Sequence, residues 1–181
     1  DRIRPVFNDA DLYTVKVAVE IPQNASDDVK AKALIKAMVK ARKLYKGSGN
    51  PSFFTTEDYL TDALLLEDNM GRVIYDSEAK VATAMRVKEI VPVEVMEGQS
   101  RSVKLQPSDQ SNTTVYLDGL IVNLSDYNVG ADKGGKAEMF EDFDLDFNQY
   151  IFLYEGRMSG ALVKPYSAMA VEHYFTEAAA G

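Results

Sequence analysis

The chain has 181 residues, no cysteine, and 20 Lys/Arg against 28 Asp/Glu, a formal net charge of −8. The missing thiols exclude disulfides and thiolate chemistry and suit a cytosolic or viral setting; the acidic balance argues against unassisted binding to nucleic acid or anionic membrane, whose phosphates need a concentrated positive field. No apolar run approaches the roughly 18 residues that cross a bilayer, so one soluble domain with a real core is expected, or one elongated domain with a protruding lobe.

The first residues, Asp1-Arg-Ile-Arg-Pro5, hold no signal-peptide core, and a chain opening on Asp rather than Met is expected to be a processed product or a fragment. From Leu12 to Glu20 the residues Tyr13, Val15, Val17 and Val19 alternate with Leu12, Thr14, Lys16, Ala18 and Glu20, which predicts a half-buried strand closed by Pro22 and Asn24. Ser26-Asp-Asp28 then opens a long helix with an acidic start and a lysine-rich end, both matched to the helix dipole. Its apolar stripe is Leu34, Ile35, Met38, Val39, Arg42 and Tyr45, and Gly47-Ser-Gly49 stops it. Between Ser26 and Lys46 seven Lys/Arg stand against two Asp, a local charge of +5 on an acidic chain. These lysines are read as a solvated face, or as contacts to acidic neighbours or packaged nucleic acid.

The stretch Asn50 to Arg72 organises the rest of the chain. Pro51 disfavours helix at Asn50, and the adjacent rings Phe53 and Phe54 suit a central strand covered on both faces. Thr55 or Thr56 can cap the next helix, with Glu57 and Asp58 in its first turn. Tyr59, Leu60, Ala63, Leu64 and Glu67 share one face, Thr61, Asp62 and Asp68 turn to water, and Asn69-Met-Gly71 ends the helix.

Asp76-Ser77 caps a short helix running through Met85, and Val87 to Val95 alternates as a strand that Pro92 confines to an edge or a bulge. Glu97 to Thr114 has loop composition and is read as a contact loop, or as a surface loop without a partner. Val115 to Leu124 is a strand broken at Asp118-Gly119, and Tyr127 to Gly135 is a glycine-rich turn into the acidic, aromatic stretch Glu138 to Asp146. Tyr150 to Met158 and Ala168 to Phe175 are two further apolar stretches, and the end of the chain reads as a frayed tail.

Motifs that could carry chemistry lack parts. Gly130 to Lys136 has the glycines and lysine of a phosphate-cradling loop, but Ala137 stands where magnesium needs a hydroxyl, and no helix follows. Asp144, Asp146, Asn148 and Glu155 reproduce most of a calcium-loop spacing, yet Gln149 occupies the glycine position and neither flank is helical. Carboxylates alternating with Phe143, Leu145 and Phe147 are better read as the wet face of a strand whose other face is core. His173, the only histidine, has no nucleophile motif beside it and reads as a packing or surface residue. No catalytic residue, cofactor or metal is therefore expected.

Two stretches carry a family resemblance. One is Asn50 to Tyr75, a buried strand, Thr-Glu-Asp, a leucine-rich helix, and Asn-x-Gly-Arg before an aromatic. The other runs from Gly119 to Val171, with Asp126-Tyr127, Gly134-Gly135, Phe143 to Phe147, Asn148, Glu155, Arg157, Pro165 and Ala168 in order. Together this ordered set, spanning about Ser26 to Glu172, resembles the tailed-bacteriophage major capsid proteins of the Hong Kong phage fold. The resemblance implies an α+β fold, a central mixed sheet flanked by helices (the axial domain) plus C-terminal strands of the peripheral domain. Residues 1–25 would be an N-terminal strand and connector of the peripheral region, 26–135 the axial-type domain, 136–175 the returning peripheral strands and 176–181 a disordered tail. The long upstream peripheral helix, N-terminal arm and extended hairpin loop of that family have no counterpart here.

The function so implied is structural and not enzymatic: copies of the chain closing into hexamers and pentamers of an icosahedral shell around phage DNA. The partners would be the chain itself, DNA held only non-specifically, and a scaffold or maturation protease for a full-length form, with no membrane. Location would be the virion, and the host bacterial cytoplasm during assembly. Glu97, Gln99, Arg101, Lys104, Gln106 and Asp109 are the candidate subunit contacts near the capsomer axis. Some members of the family cross-link, and Asn148 and Glu155 occupy the matching positions of acceptor and base, though regular strand spacing places the two on opposite faces. Alternatives are a bacterial nanocompartment shell of the same fold, or a small metal- or nucleotide-binding protein.

Overall fold

A computed structural model describes residues 13–104, 112–131, 138–155 and 158–176. Its centre is a six-stranded mixed sheet built from β1 (Thr14–Pro22), β2 (Ser52–Thr55), β3 (Ile90–Pro92), β4 (Ser100–Val103), β5 (Thr113–Val122) and β10 (Ala168–Thr176). The order is β1-β10-β5-β2-β3, with β4 also hydrogen-bonded to β5. β1 runs parallel to β10, and β2 parallel to β3, while β5 is antiparallel to β10, β2 and β4. Three helices, α1 (Asp27–Ala41), α2 (Glu57–Leu64) and α3 (Glu78–Met85), complete the expected α+β architecture of a mixed sheet flanked by helices.

Alternation along the strands divides the core in two. Phe53, Ile121, Met169 and Val171 point to one face and meet Leu34, Ile35 and Met38 of α1, Tyr59 and Ala63 of α2, and Val81 and Met85 of α3. Phe54, Leu120, Val122, Ala168 and Ala170 point to the other, under Met96, Tyr127 and Leu162. Phe53 and Phe54 are thus both buried, as the prediction of a covered β2 requires. Thr56 caps α2, its hydroxyl oxygen accepting from the Tyr59 amide.

Several elements depart from expectation. α2 stops at Leu64, because Leu66 turns into the core while Glu67, exposed, bridges to Val73. Asn69-Met-Gly71 shapes that reversal instead of ending the helix, with Asp68 Oδ1 accepting from the amides of Met70 and Arg72. The strand expected from Val87 to Val95 pairs only at Ile90–Pro92; Pro92 has no donor to extend the ladder, and a 3-10 turn follows at Glu94–Met96. β3 does lie at the sheet edge. The stretch expected as a loop from Glu97 to Thr114 contains β4, whose Ser100 and Ser102 give it a loop-like composition. β5 is continuous through Asp118-Gly119, where the expected break is a register shift opposite Val171 and Glu172. β1 and β10, placed outside the axial-type domain by the sequence reading, are hydrogen-bonded into the same sheet as β2 and β5, and Thr176 belongs to β10.

After β5 the chain leaves this sheet through a 3-10 turn at Leu124–Asp126 into β6 (Tyr127–Ala131), where a glycine-rich turn was expected. β7 (Glu138–Asp144) and β8 (Gln149–Glu155) form a two-stranded hairpin, and β9 (Met158–Leu162) returns antiparallel to β6. Among the described residues no helix is long and apolar enough to cross a membrane.

Candidate functional site: an uncovered hairpin and a polar pocket

The β7–β8 register pairs Phe140 with Leu153 and Asp142 with Ile151 on one face, and Glu141 with Phe152 and Phe143 with Tyr150 on the other. All these apolar side chains are exposed, and the turn carries Leu145 at 84% and Phe147 at 75% exposure. The expectation that Phe143, Leu145 and Phe147 back onto core is corrected: Leu145 and Phe147 sit in the turn, and among the described residues nothing covers either face. An isolated two-stranded ribbon is marginal in water, and contiguous exposed apolar surface marks an interaction site.

The same hairpin separates residues that the sequence reading had grouped. Asp144, Asp146 and Asn148 lie at the turn, where Asp144 Oδ1 accepts from the Asp146 amide and Asn148 adopts φ 50°. Glu155 pairs with Glu138 at the opposite end of β8, roughly 20 Å away at about 3.3 Å per residue. One chain therefore gathers neither the calcium set Asp144, Asp146, Asn148 and Glu155 nor the cross-link pair Asn148 and Glu155. Most of the Gly130 to Lys136 loop, together with Arg157, lies outside the described residues.

The candidate subunit contacts fall in different surroundings. Glu97 and Lys104 are exposed. Gln99 turns inward, its side-chain amide donating to the Val95 carbonyl while its backbone carbonyl accepts from the Leu117 amide. Arg101 donates from Nε and Nη2 to Glu172 at 2.8 and 2.7 Å. Gln106 and Asp109 lie outside the described residues.

A second site was missed by sequence reasoning. Nδ1 of His173 lies 2.7 Å from Oδ2 of Asp118, both groups buried, and Lys30 Nζ is 3.9 Å from Oδ1 of the same carboxylate. Thr55 donates its hydroxyl to the Asp118 carbonyl at 2.7 Å, which holds the bulge. The Tyr116 ring stacks on His173 with centroids 5.3 Å apart. Lys30, Tyr116, Asp118 and His173 border a pocket of about 200 Å³ whose wall also includes Tyr59, Asp58, Asp62 and Glu97. Burial pushes the Asp62 carboxyl above its usual range, and the carboxylates of Asp27, Asp58 and Asp28 push the same way against Lys30. Burial also pushes the Tyr59 phenol well up, helped by Asp118. Two signals pointed here: a glycine inside a strand at Gly119, and a Glu-His pair inside the otherwise apolar run of β10.

No protein-family model matches the sequence, and no curated protein matches it significantly. Among solved structures it is similar to the capsid of an empty GTA particle computed with C5 symmetry, at 15% sequence identity and a TM-score of 0.49, covering 88% of this chain. The match takes in 49% of that chain, so this chain spans about half its length.

Proposed function

We propose that the chain is a structural subunit of a bacteriophage icosahedral capsid, self-assembling into hexamers and pentamers that enclose the phage genome. The observation that carries this reading is the β7–β8 ribbon, apolar on both faces and covered on neither by any described residue, which neighbouring copies would bury. The ordered sequence resemblance from Asn50 to Tyr75 and from Gly119 to Val171 supports it independently. The net charge of −8 suits a wall that encloses DNA without holding it tightly. The chain itself is then the main partner, with Glu97 and Lys104 as contacts near the capsomer axis and a scaffold or maturation protease as further partners. The site of action is the virion, after assembly in the host cytoplasm.

Electron microscopy of the expressed protein tests this. Closed shells of uniform diameter are expected, and a protein that stays monomeric at all concentrations and salt conditions refutes it.

A further inference from the structure

Two charged surfaces stand apart in the fold, one acidic and one basic. The stretch Glu138 to Glu155 carries six carboxylates (Glu138, Glu141, Asp142, Asp144, Asp146 and Glu155) and no Lys or Arg, a charge of −6 on the ribbon that exposes Phe140, Ile151 and Leu153. On α1 the exposed side chains Lys32, Lys36 and Lys40 recur every fourth residue, and Leu44, 45% exposed, continues the row past the helix end. Lys36 and Lys40 make no hydrogen bond or ion pair with any other described residue.

The surfaces match in spacing as well as in sign. Lys36 and Lys40 stand about 6 Å apart along the helix axis. Asp142 and Asp144 share the ribbon face that holds Phe140, Ile151 and Leu153, about 6.7 Å apart at two residues of strand. Each accepts a backbone amide on Oδ1, Asp142 from Phe143 and Asp144 from Asp146, which leaves Oδ2 for a further donor. Apolar groups flank the lysines too: Leu44 at one end and, at the other, Leu65, 64% exposed and two residues before Glu67, whose carbonyl accepts from Lys32 Nζ.

We propose that the ribbon of one copy lies along α1 of a neighbouring copy, with Asp142 and Asp144 against Lys36 and Lys40. This rests on the proposed role of the ribbon as a contact between copies. Exposed ion pairs alone are too weak to hold copies together, so burial of Phe140, Ile151 and Leu153 supplies the affinity while the charges set register and partner choice. DNA competes for the lysine row, but it would leave the apolar ribbon in water, whereas a second copy covers both surfaces in one contact. Donor and receiver are different patches, so the contact is heterologous, the kind that repeats from copy to copy and closes rings.

Lys36→Glu with Lys40→Glu reverses the helix surface, and Asp142→Lys with Asp144→Lys reverses the ribbon. None of the four residues is buried, so both double variants should melt as the wild type does. Self-association is followed by sedimentation velocity over a concentration series. Each variant alone should associate at least about tenfold more weakly than the wild type, because like charges then face each other. An equimolar mixture should recover association, since each copy offers the surface that the other lacks. If the reversal unsettles the fold, Lys36→Gln with Lys40→Gln must still weaken association. A mixture no better than its parts, variants that associate as the wild type does, or a monomeric wild type overturns the proposal. A helix variant that associates normally but loses DNA binding overturns it too, and assigns the lysines to nucleic acid. Shells indifferent to both reversals remove this contact and leave the shell reading standing. Charge-dependent association that never closes into shells upholds the contact and removes that reading.

Discussion

Arg101 and Glu172 meet fork to fork across β5, joining β4 to β10 through two hydrogen bonds of 2.8 and 2.7 Å, and the Glu172 side chain is wholly buried. The next residue, His173, sends its ring to the opposite face of the sheet, where Asp118 receives it. Two consecutive polar residues inside the apolar run of β10 thus each find a partner, one on either side.

Removing one member of a buried ion pair strands the other. Arg101→Ala should therefore destabilise the fold by about 3–5 kcal/mol, toward the lower end because the Arg101 side chain is 27% exposed. Replacing both residues, Arg101→Met with Glu172→Leu, should recover most of that loss, since an apolar pair of similar volume satisfies the same space. Urea unfolding midpoints of the wild type, the single and the double variant check it. A double variant no better than the single one sinks the argument.

Gly119 lies under the Phe53 ring, and a Cβ built there would come 2.2 Å from a ring carbon. Gly119→Ala should cost about 1–3 kcal/mol by overpacking, although φ there needs no glycine. Combined with Phe53→Leu, which removes the obstructing edge, the alanine should cost less than it does alone. A thermodynamic cycle of the four proteins measures the coupling.

What the sequence made legible was whatever rests on local pattern. Adjacent rings at Phe53 and Phe54, with Pro51 before them, pointed to a strand buried on both faces, and Thr56 before Glu57-Asp58 marked the start of α2. The end of α2 was not legible, because Leu64-Leu65-Leu66 offers an apolar residue at every helical phase and only tertiary packing selects Leu66. The polar pairs were hidden for a different reason. Asp118 and His173 are 55 residues apart, and Arg101 and Glu172 are 71 apart, so their meeting depends on strand order and on a bulge. The uncovered hairpin was misread because alternation of carboxylates with aromatics looks the same whether core or a neighbouring molecule lies beneath.

Asp62 gives a pH signature. Its folded-state pKa is raised, first by burial and then by Asp27, so the folded chain holds this proton more tightly than the unfolded chain does. Its contribution is fully present below the unfolded carboxyl pKa and is lost as pH rises through the folded one. At pH 7 the ionised Asp62 is then a small liability. Asp62→Asn should raise the melting temperature at neutral pH, and the gap should close on acidification below the usual aspartate range. Thermal melts of both proteins from pH 3 to 7 test the sign, and a gap that widens in acid contradicts it.

On the ribbon, Phe140 and Phe152 occupy opposite faces of β7–β8, and both are about half exposed, so neither contributes much to the fold of its own chain. Phe140→Ser and Phe152→Ser should each change unfolding free energy by no more than about 0.5 kcal/mol. Their effect on assembly should be far larger. Burying a phenylalanine side chain between copies is worth about 1.5–3 kcal/mol, and in a closed shell each subunit both gives and receives such contacts. Whichever substitution abolishes shells in sedimentation and electron microscopy, with the subunit's unfolding unchanged, identifies the face that neighbours cover. If both proteins assemble as the wild type does, the ribbon is not the contact and the shell reading loses its main support.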